Sequence, residues 1–201
     1  MNTAFCFGLD YTLTDRDLLP IVSRVVGAEK EIEILVSAAN NGVLSFEKVL
    51  NLVIKILQST PTNSITHEIQ NHLRVDPIIL NFIEKNIGHT YILTPHLDIW
   101  TTPIVRGIGI RCFTALAKVD DKCCPIGVKE YFDASKVVAK LRTQHDRIVA
   151  IGSQTNDLTM FECSDISVVY GERSSPDQEL LKISDFATFE GGTLCRLLNT
   201  L

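Results

Sequence analysis

The chain reads as an α/β protein, a Rossmann-like parallel sheet flanked by helices, with a helical-bundle cap inserted after the first strand. Three observations predict this. From Thr90 onward, short apolar runs rich in β-branched residues alternate with helical segments, the pattern of a parallel sheet covered by helices. One further apolar run, Thr3–Leu9, stands apart at the N-terminus. Between them, residues 15–88 have helical character. Residues 1–14 and 89–201 are therefore expected to form the α/β core, and 15–88 the cap.

Each element has its own signal. Thr3–Leu9, broken at Gly8, suits a buried first strand. In the cap, Asn41-Gly42 suits a helix stop, and Ser45 is the N-cap of a densely apolar helix, Phe46–Leu57. Pro61–Ser64 reads as a connector. Asp76-Pro77 opens another helix as N-cap and first residue, and Gly88 follows its end. Strands are then expected at Thr90–Thr94, near Ile110–Leu116, at Arg147–Ile151 and Ile166–Tyr170, with a last short one at Asp185–Phe189. Asp133 caps a helix through Leu141, a second covers Leu158–Glu162, and Pro176 opens a third. No internal repeat or low-complexity segment is present.

Composition narrows the classes. The 201 residues are 45% hydrophobic and 21% charged, enough apolar surface for a core. A net charge of -5 argues against nucleic acid, which requires a basic face. No apolar run approaches the roughly 20 residues needed to span a bilayer, and no leader-like N-terminus is seen. A cytoplasmic location is the expectation. The six cysteines show no CxxC or other zinc spacing. Cys6 and Cys163 sit in apolar segments as small hydrophobes, and Cys123-Cys124 reads as a loop pair.

In an open parallel sheet, ligands bind at the carboxyl ends of the strands. Gly8–Thr12, Thr94 and Gly152–Asp157 all follow apolar strands at that edge. The first reads Phe5-Cys-Phe-Gly-Leu-Asp-Tyr-Thr-Leu-Thr-Asp15. A hydrophobic strand ending in Asp-x-Asp-x-Thr resembles the signature of the haloacid dehalogenase phosphohydrolases, whose first Asp takes up the phosphoryl group. That place holds Gly8, while Asp10 and Thr12 are present. Tyr91-Ile-Leu-Thr94 resembles the family's second motif, where a hydroxyl holds a phosphate oxygen. Lys136 resembles the third-motif lysine, with Lys129 and Lys140 as rivals. Arg147-Ile-Val-Ala-Ile-Gly-Ser-Gln-Thr-Asn-Asp-Leu-Thr-Met160 resembles the fourth motif of the phosphoserine phosphatase-like branch, with Ser153 at its first acidic position.

The resemblance implies roles. Asp10 and Lys136 would be the catalytic groups left beside Gly8. Thr12, Asp17, Asn51, Thr94, Lys136 and Asn156 would contact phosphate or substrate. Asp10, Ser153 and Asp157 would be the magnesium site, made weak or ligand-dependent by the loss of two carboxylates. Asp17 falls where phosphoserine phosphatases carry a substrate-binding Glu. Asn51 stands where their arginine would grip a substrate carboxylate; an amide brings no charge, so phosphoserine itself is an unlikely ligand. Each residue also has a plainer reading, as a cap, a turn residue or a solvated surface charge. His96 reads as an exposed loop histidine, and Cys6 as buried below Gly8 on the same strand face.

Removing the nucleophile of a hydrolase costs about a million-fold in rate. The leading expectation is thus a non-catalytic binding or regulatory protein with a small phosphorylated ligand. An atypical magnesium-dependent phosphohydrolase acting on another small phosphate ester, and a structural protein with a vestigial site, remain the alternatives.

Overall fold

The computed structural model describes residues 2–201. In chain order the elements are β1 (Thr3–Phe7), α1 (Leu18–Ser23), α2 (Glu29–Asn40), α3 (Phe46–Leu57), α4 (Thr62–His72), α5 (Pro77–Lys85), β2 (Thr90–Leu97), α6 (Asp98–Val105), β3 (Arg111–Val119) and β4 (Pro125–Glu130). They continue as α7 (Ala134–Leu141), β5 (Arg147–Gly152), α8 (Leu158–Cys163), β6 (Ile166–Tyr170), α9 (Gln178–Ile183), β7 (Phe186–Thr188) and α10 (Gly191–Leu198). The strands form one seven-stranded sheet in the order β4-β3-β2-β1-β5-β6-β7. Only β4 runs antiparallel, against β3. Strand order reverses about β1, which pairs in parallel with β2 on one side and β5 on the other. The switch point, and with it the expected crevice, therefore lies at the carboxyl ends of β1, β2 and β5.

The period of two in β1 builds both layers of the core. Phe5 and Phe7 join Trp100, Ile79 and Leu194 on one face of the sheet. Ala4 and Cys6 join Val138, Leu141, Met160 and Leu180 on the other. Each fully buried large side chain contributes about 1.5–3 kcal/mol through removal of apolar surface from water. Cys6 is fully buried, and burial pushes its thiol up to about 12, so it acts as a packing residue.

The helix caps are those the sequence encodes. Ser45 accepts from the Lys48 N–H, Asp133 from Ser135 and Lys136, and Asp76 from Ile78 and Ile79. Gly42 sits in the left-handed region at φ 71° as α2 ends. Several features depart from expectation: α4 begins at Thr62, inside the segment read as a connector, and α9 begins at Gln178 with Asp177 rather than Pro176 at its cap. β2 runs on to Leu97 through Pro95, whose missing N–H falls within the register shift between Leu93 and Leu97. β4, α6 and α10 are additional; Pro103 inside α6 and Gly191-Gly192 opening α10 mask both helices in the sequence.

Helix α5, at the end of the expected cap segment, lies on the sheet. Phe82 meets Phe5 edge-on with ring centroids 5.2 Å apart, and α5 packs against α10. Its cap, Asp76, also accepts from Arg173 at 2.9 Å, while the Asp76 N–H donates to the Leu13 carbonyl. Asp76 thus joins the return from the cap to the loop after β1. Asp76→Ala is expected to lose about 2–4 kcal/mol, since it removes a helix cap and strands a cation. Urea unfolding of the variant and of Arg173→Ala measures this; a loss under about 1 kcal/mol for Asp76→Ala would contradict it.

Candidate functional site

The loop after β1 is tightly wound. The Leu9 carbonyl accepts from the Leu13 and Thr14 N–H groups and from the Thr14 hydroxyl, and Tyr11 is held at φ 56°. This turn carries Asp10 inward. Asp10 Oδ1 accepts from the Leu18 N–H at 3.0 Å, capping α1 from outside it. Its Oδ2 lies 2.6 Å from His96 Nε2. His96 is only 1% exposed and is covered by Phe46 of the cap, whose ring meets it edge-on. The exposed loop histidine expected at this position is thus a buried partner of Asp10. The correction follows from the length of β2: with the strand carried through Leu97, Thr94 and His96 stand two apart at the same edge.

Asp157 is the second buried carboxylate. Its Oδ2 accepts from the Ser153 and Gln154 N–H groups at 2.8 and 3.1 Å. The side chain fits between two glycines. A Cβ at Gly8 would stand 2.8 Å from Asp157 Cγ, and one at Gly152 would stand 2.6 Å from Asp157 Cβ, distances that no real contact adopts. The carboxylate therefore fills the volume that a side chain at position 8 would need. Burial, followed by the charge of Asp10, pushes it up to about 7 despite the two N–H donors.

Of the other residues expected at the site, Thr12 and Thr94 are buried. The Thr12 hydroxyl donates to the Asp10 carbonyl at 3.4 Å, and Thr94 Oγ1 accepts from the His96 N–H at 3.5 Å. Lys136 is 85% exposed and pairs with Asp133 at 3.2 Å, so it reaches neither Asp10 nor Asp157. Asn51 donates to the Glu47 carbonyl and to the Tyr131 hydroxyl at 2.7 Å, making it a bridge from cap to core. The Ser153 hydroxyl faces Ser174 at 3.2 Å.

Two open cavities lie beside this centre, where the helical segment after β1 meets the loops at the sheet edge. The first, about 520 Å³, is bounded by Tyr11, Asp17, Pro20, Ile21, Glu33, Val36, Asn40 and Gln154, with Asp15, Arg16 and Glu29 also on its wall. Four carboxylates against one guanidinium make it acidic. Asp17 stands at the N-cap position of α1 without capping it. Burial, then Asp10, pushes its carboxyl up to about 8, with Glu33 adding to the effect. The second cavity, about 550 Å³, is lined by Ser45, Phe46, Glu47, Pro95, Tyr131, Asp133, Lys136, Thr155 and Asn156. It gathers two of the expected phosphate contacts, Lys136 and Asn156, whereas Asp17 belongs to the first cavity. Asn40 and Gln154 had no signal as single residues. They join cap to core at 2.9 Å, and the Thr155 hydroxyl donates to the Asn40 carbonyl.

The donor set does not fit the divalent ion that the resemblance implies. Magnesium requires near-octahedral oxygen ligands at about 2.0–2.1 Å. Gly8 offers no side chain, Ser153 is turned to Ser174, and both carboxylates already accept from protein donors. Among the described residues, no three His, Cys, Asp or Glu side chains converge as ligands.

No family model matches the sequence, and no curated protein is similar to it. Solved structures are similar in fold. A substrate-bound phosphoserine phosphatase superposes with a TM-score of 0.82 at 20% identity, over 100% of this chain and 98% of its own. A phospho-aspartyl intermediate analogue of phosphoserine phosphatase gives 0.79 at 18%, over 94% and 93%. A phosphoserine phosphohydrolase-like protein from Francisella tularensis gives 0.78 at 18%, over 98% and 99%. These likenesses show the fold: the chain has the α/β fold of the phosphoserine phosphatase structures. Among the described residues, no helix is long and apolar enough to cross a membrane.

Proposed function

We propose that this chain is a non-hydrolytic relative of the phosphatases whose fold it has, a binding or regulatory protein that takes a small phosphate-bearing ligand between cap and core. The observation that carries this is the position of Asp157: its carboxylate packs where a nucleophile's side chain would have to stand. An in-line attack on phosphorus needs a nucleophile at that point. The ligand's phosphate is assigned to the second cavity, where Lys136, paired with Asp133, is the one cation, Glu47 is a second carboxylate on the wall, and Ser45, Thr155 and Asn156 offer polar contacts. The first cavity carries the larger acidic excess, four carboxyl groups against one guanidinium, and is the less favourable place for an anion.

A phosphohydrolase of different chemistry is the competing reading, and the Asp10–His96 pair favours it, since such a pair can serve as a general base. Against it, both side chains are buried and Oδ2 of Asp10 is already occupied by the ring. Hydrolysis of aryl phosphates and acetyl phosphate separates the two. The native chain is expected to turn over no faster than Lys136→Ala, and inorganic phosphate or vanadate to bind the native chain but not that variant. Native turnover well above the Lys136→Ala control would overturn the non-hydrolytic assignment. Equal phosphate binding by both proteins would overturn the assignment of the phosphate to the second cavity.

A further inference from the structure

We propose that the ligand of this chain is an aromatic phosphate monoester, its ring seated in a third cavity that adjoins the second at Tyr131 and Lys136. The inference rests on the assignment of the phosphate to the second cavity, and it names the group to which the phosphate is attached. The third cavity is about 520 Å³, within the usual range of small-molecule sites. It shares Tyr131, Phe132, Asp133 and Lys136 with the second. A phosphate beside Lys136 therefore stands at the border of the two, and the group that it esterifies has the third cavity to enter.

Past the shared wall the lining turns apolar, with Phe113 and Leu116 of β3 and Val137 of α7. Tyr131, Phe132 and Phe113 give it three rings, and two of these are fixed by neighbours. Tyr131 is 43% exposed, yet its hydroxyl accepts from Asn51 Nδ2 at 2.7 Å, which anchors the ring from the cap. Phe113 is braced by Tyr91, with ring centroids 6.2 Å apart. Aromatic side chains held in place before a ligand arrives offer stacking surface at little cost in entropy. The charges exclude the other common kind of small phosphate ester, a phosphorylated acid. Among the described residues lining the two cavities, Lys136 is the one cation, against Glu47, Glu130 and Asp133. With Lys136 on the phosphate, a second anionic group meets only carboxylates. Asn51 does not grip one either, being held by the Glu47 carbonyl and Tyr131. An uncharged planar ring suits these walls.

Calorimetric titration of the full chain with phenyl phosphate, butyl phosphate and inorganic phosphate tests this. Phenyl phosphate is expected to bind the native chain about tenfold or more tighter than inorganic phosphate, and about threefold or more tighter than butyl phosphate. Thr114→Trp fills the third cavity from β3, and Tyr131→Leu keeps apolar bulk at an exposed position without the ring. Each is expected to remove the margin of phenyl over butyl phosphate, and Tyr131→Phe to keep it. The proposal is overturned if the native chain binds phenyl phosphate no tighter than butyl phosphate, or if Tyr131→Leu retains the margin. The Val137 methyl signals of the native chain read the cavity without any variant, since a ring seated there shifts them by its ring current. Displacement by phenyl but not by butyl phosphate supports the proposal, and signals unmoved at saturation sink it. The two readings fail separately. Equal binding of inorganic phosphate by native and Lys136→Ala counts against the phosphate assignment, while phosphate binding with no aryl margin sinks the aromatic class alone.

Discussion

Gly8→Asp, the substitution that would rearm the site, is expected to destabilise the protein instead. Any Cβ at position 8 presses on the Asp157 carboxylate, which two backbone N–H groups hold in place. Gly8→Ala alone should therefore lose about 1–3 kcal/mol as an overpacked core position. Gly8→Asp should lose more, because it adds a third carboxylate to a buried pair. The identity of the obstacle can be read from a double-mutant cycle. Asp157→Ala removes the three atoms nearest the new Cβ, so Gly8→Ala should cost less in that background. Additive losses in urea unfolding would show that something other than Asp157 fills the space. An attempt to restore activity with Gly8→Asp and Ser153→Asp must also move Asp157 back.

The second large effect is on pH. Asp157 has a carboxyl raised from 3.8 to about 7, chiefly by burial. Across that interval the folded protein keeps a proton that the unfolded chain has released. The unfolding free energy therefore falls as pH rises from about 4 to about 7, then levels off. For a shift of this size the full fall is on the order of 4 kcal/mol. Asp17, raised to about 8 by burial and by Asp10, extends the decline upward with a smaller weight, because solvent reaches it from the first cavity. Chemical denaturation across this range should find the protein most stable at mildly acidic pH. Asp157→Asn should flatten the lower part of the profile and Asp17→Asn the upper. A native profile rising from pH 5 to 7 would contradict the assignment.

Much of the architecture is legible in the sequence because it rests on local chemistry. The caps at Ser45, Asp76 and Asp133 and the glycine at 42 are set by side chain-to-backbone bonds within a few residues. The parallel strands follow from apolar runs bounded by turn residues. Elements whose sequence carries a contrary local signal are hidden: a proline within β2, another within α6, two glycines opening α10. The antiparallel β4, Pro-Ile-Gly-Val-Lys-Glu, has too little alternation to announce itself. At the site, residue types and motif order pointed to one sheet edge, the carboxyl ends of β1, β2 and β5, because strand ends are where the topology converges. The partnerships made there are long-range. Asp10 with His96 spans 86 positions, Asn40 with Gln154 spans 114, and Asn51 with Tyr131 spans 80. Lys136 shows the limit of local spacing: it lies on the wall of the second cavity but pairs with Asp133 one turn earlier and reaches neither Asp10 nor Asp157.

The bonds between cap and core have a kinetic meaning. Asn40 reaches Gln154 and Thr155, Asn51 reaches Tyr131, and Phe46 lies on His96. Asn40 and Gln154 line the first cavity, and Phe46, Tyr131 and Thr155 the second. A ligand too large for the open cavities as they stand would need several of these contacts to break together, and would leave by the same route. Exchange is then gated by the opening of the cap: association saturates at the opening rate, and residence is long even for a weakly held ligand. Slow exchange of this kind would suit the non-hydrolytic role proposed above, in which the site follows an averaged ligand level.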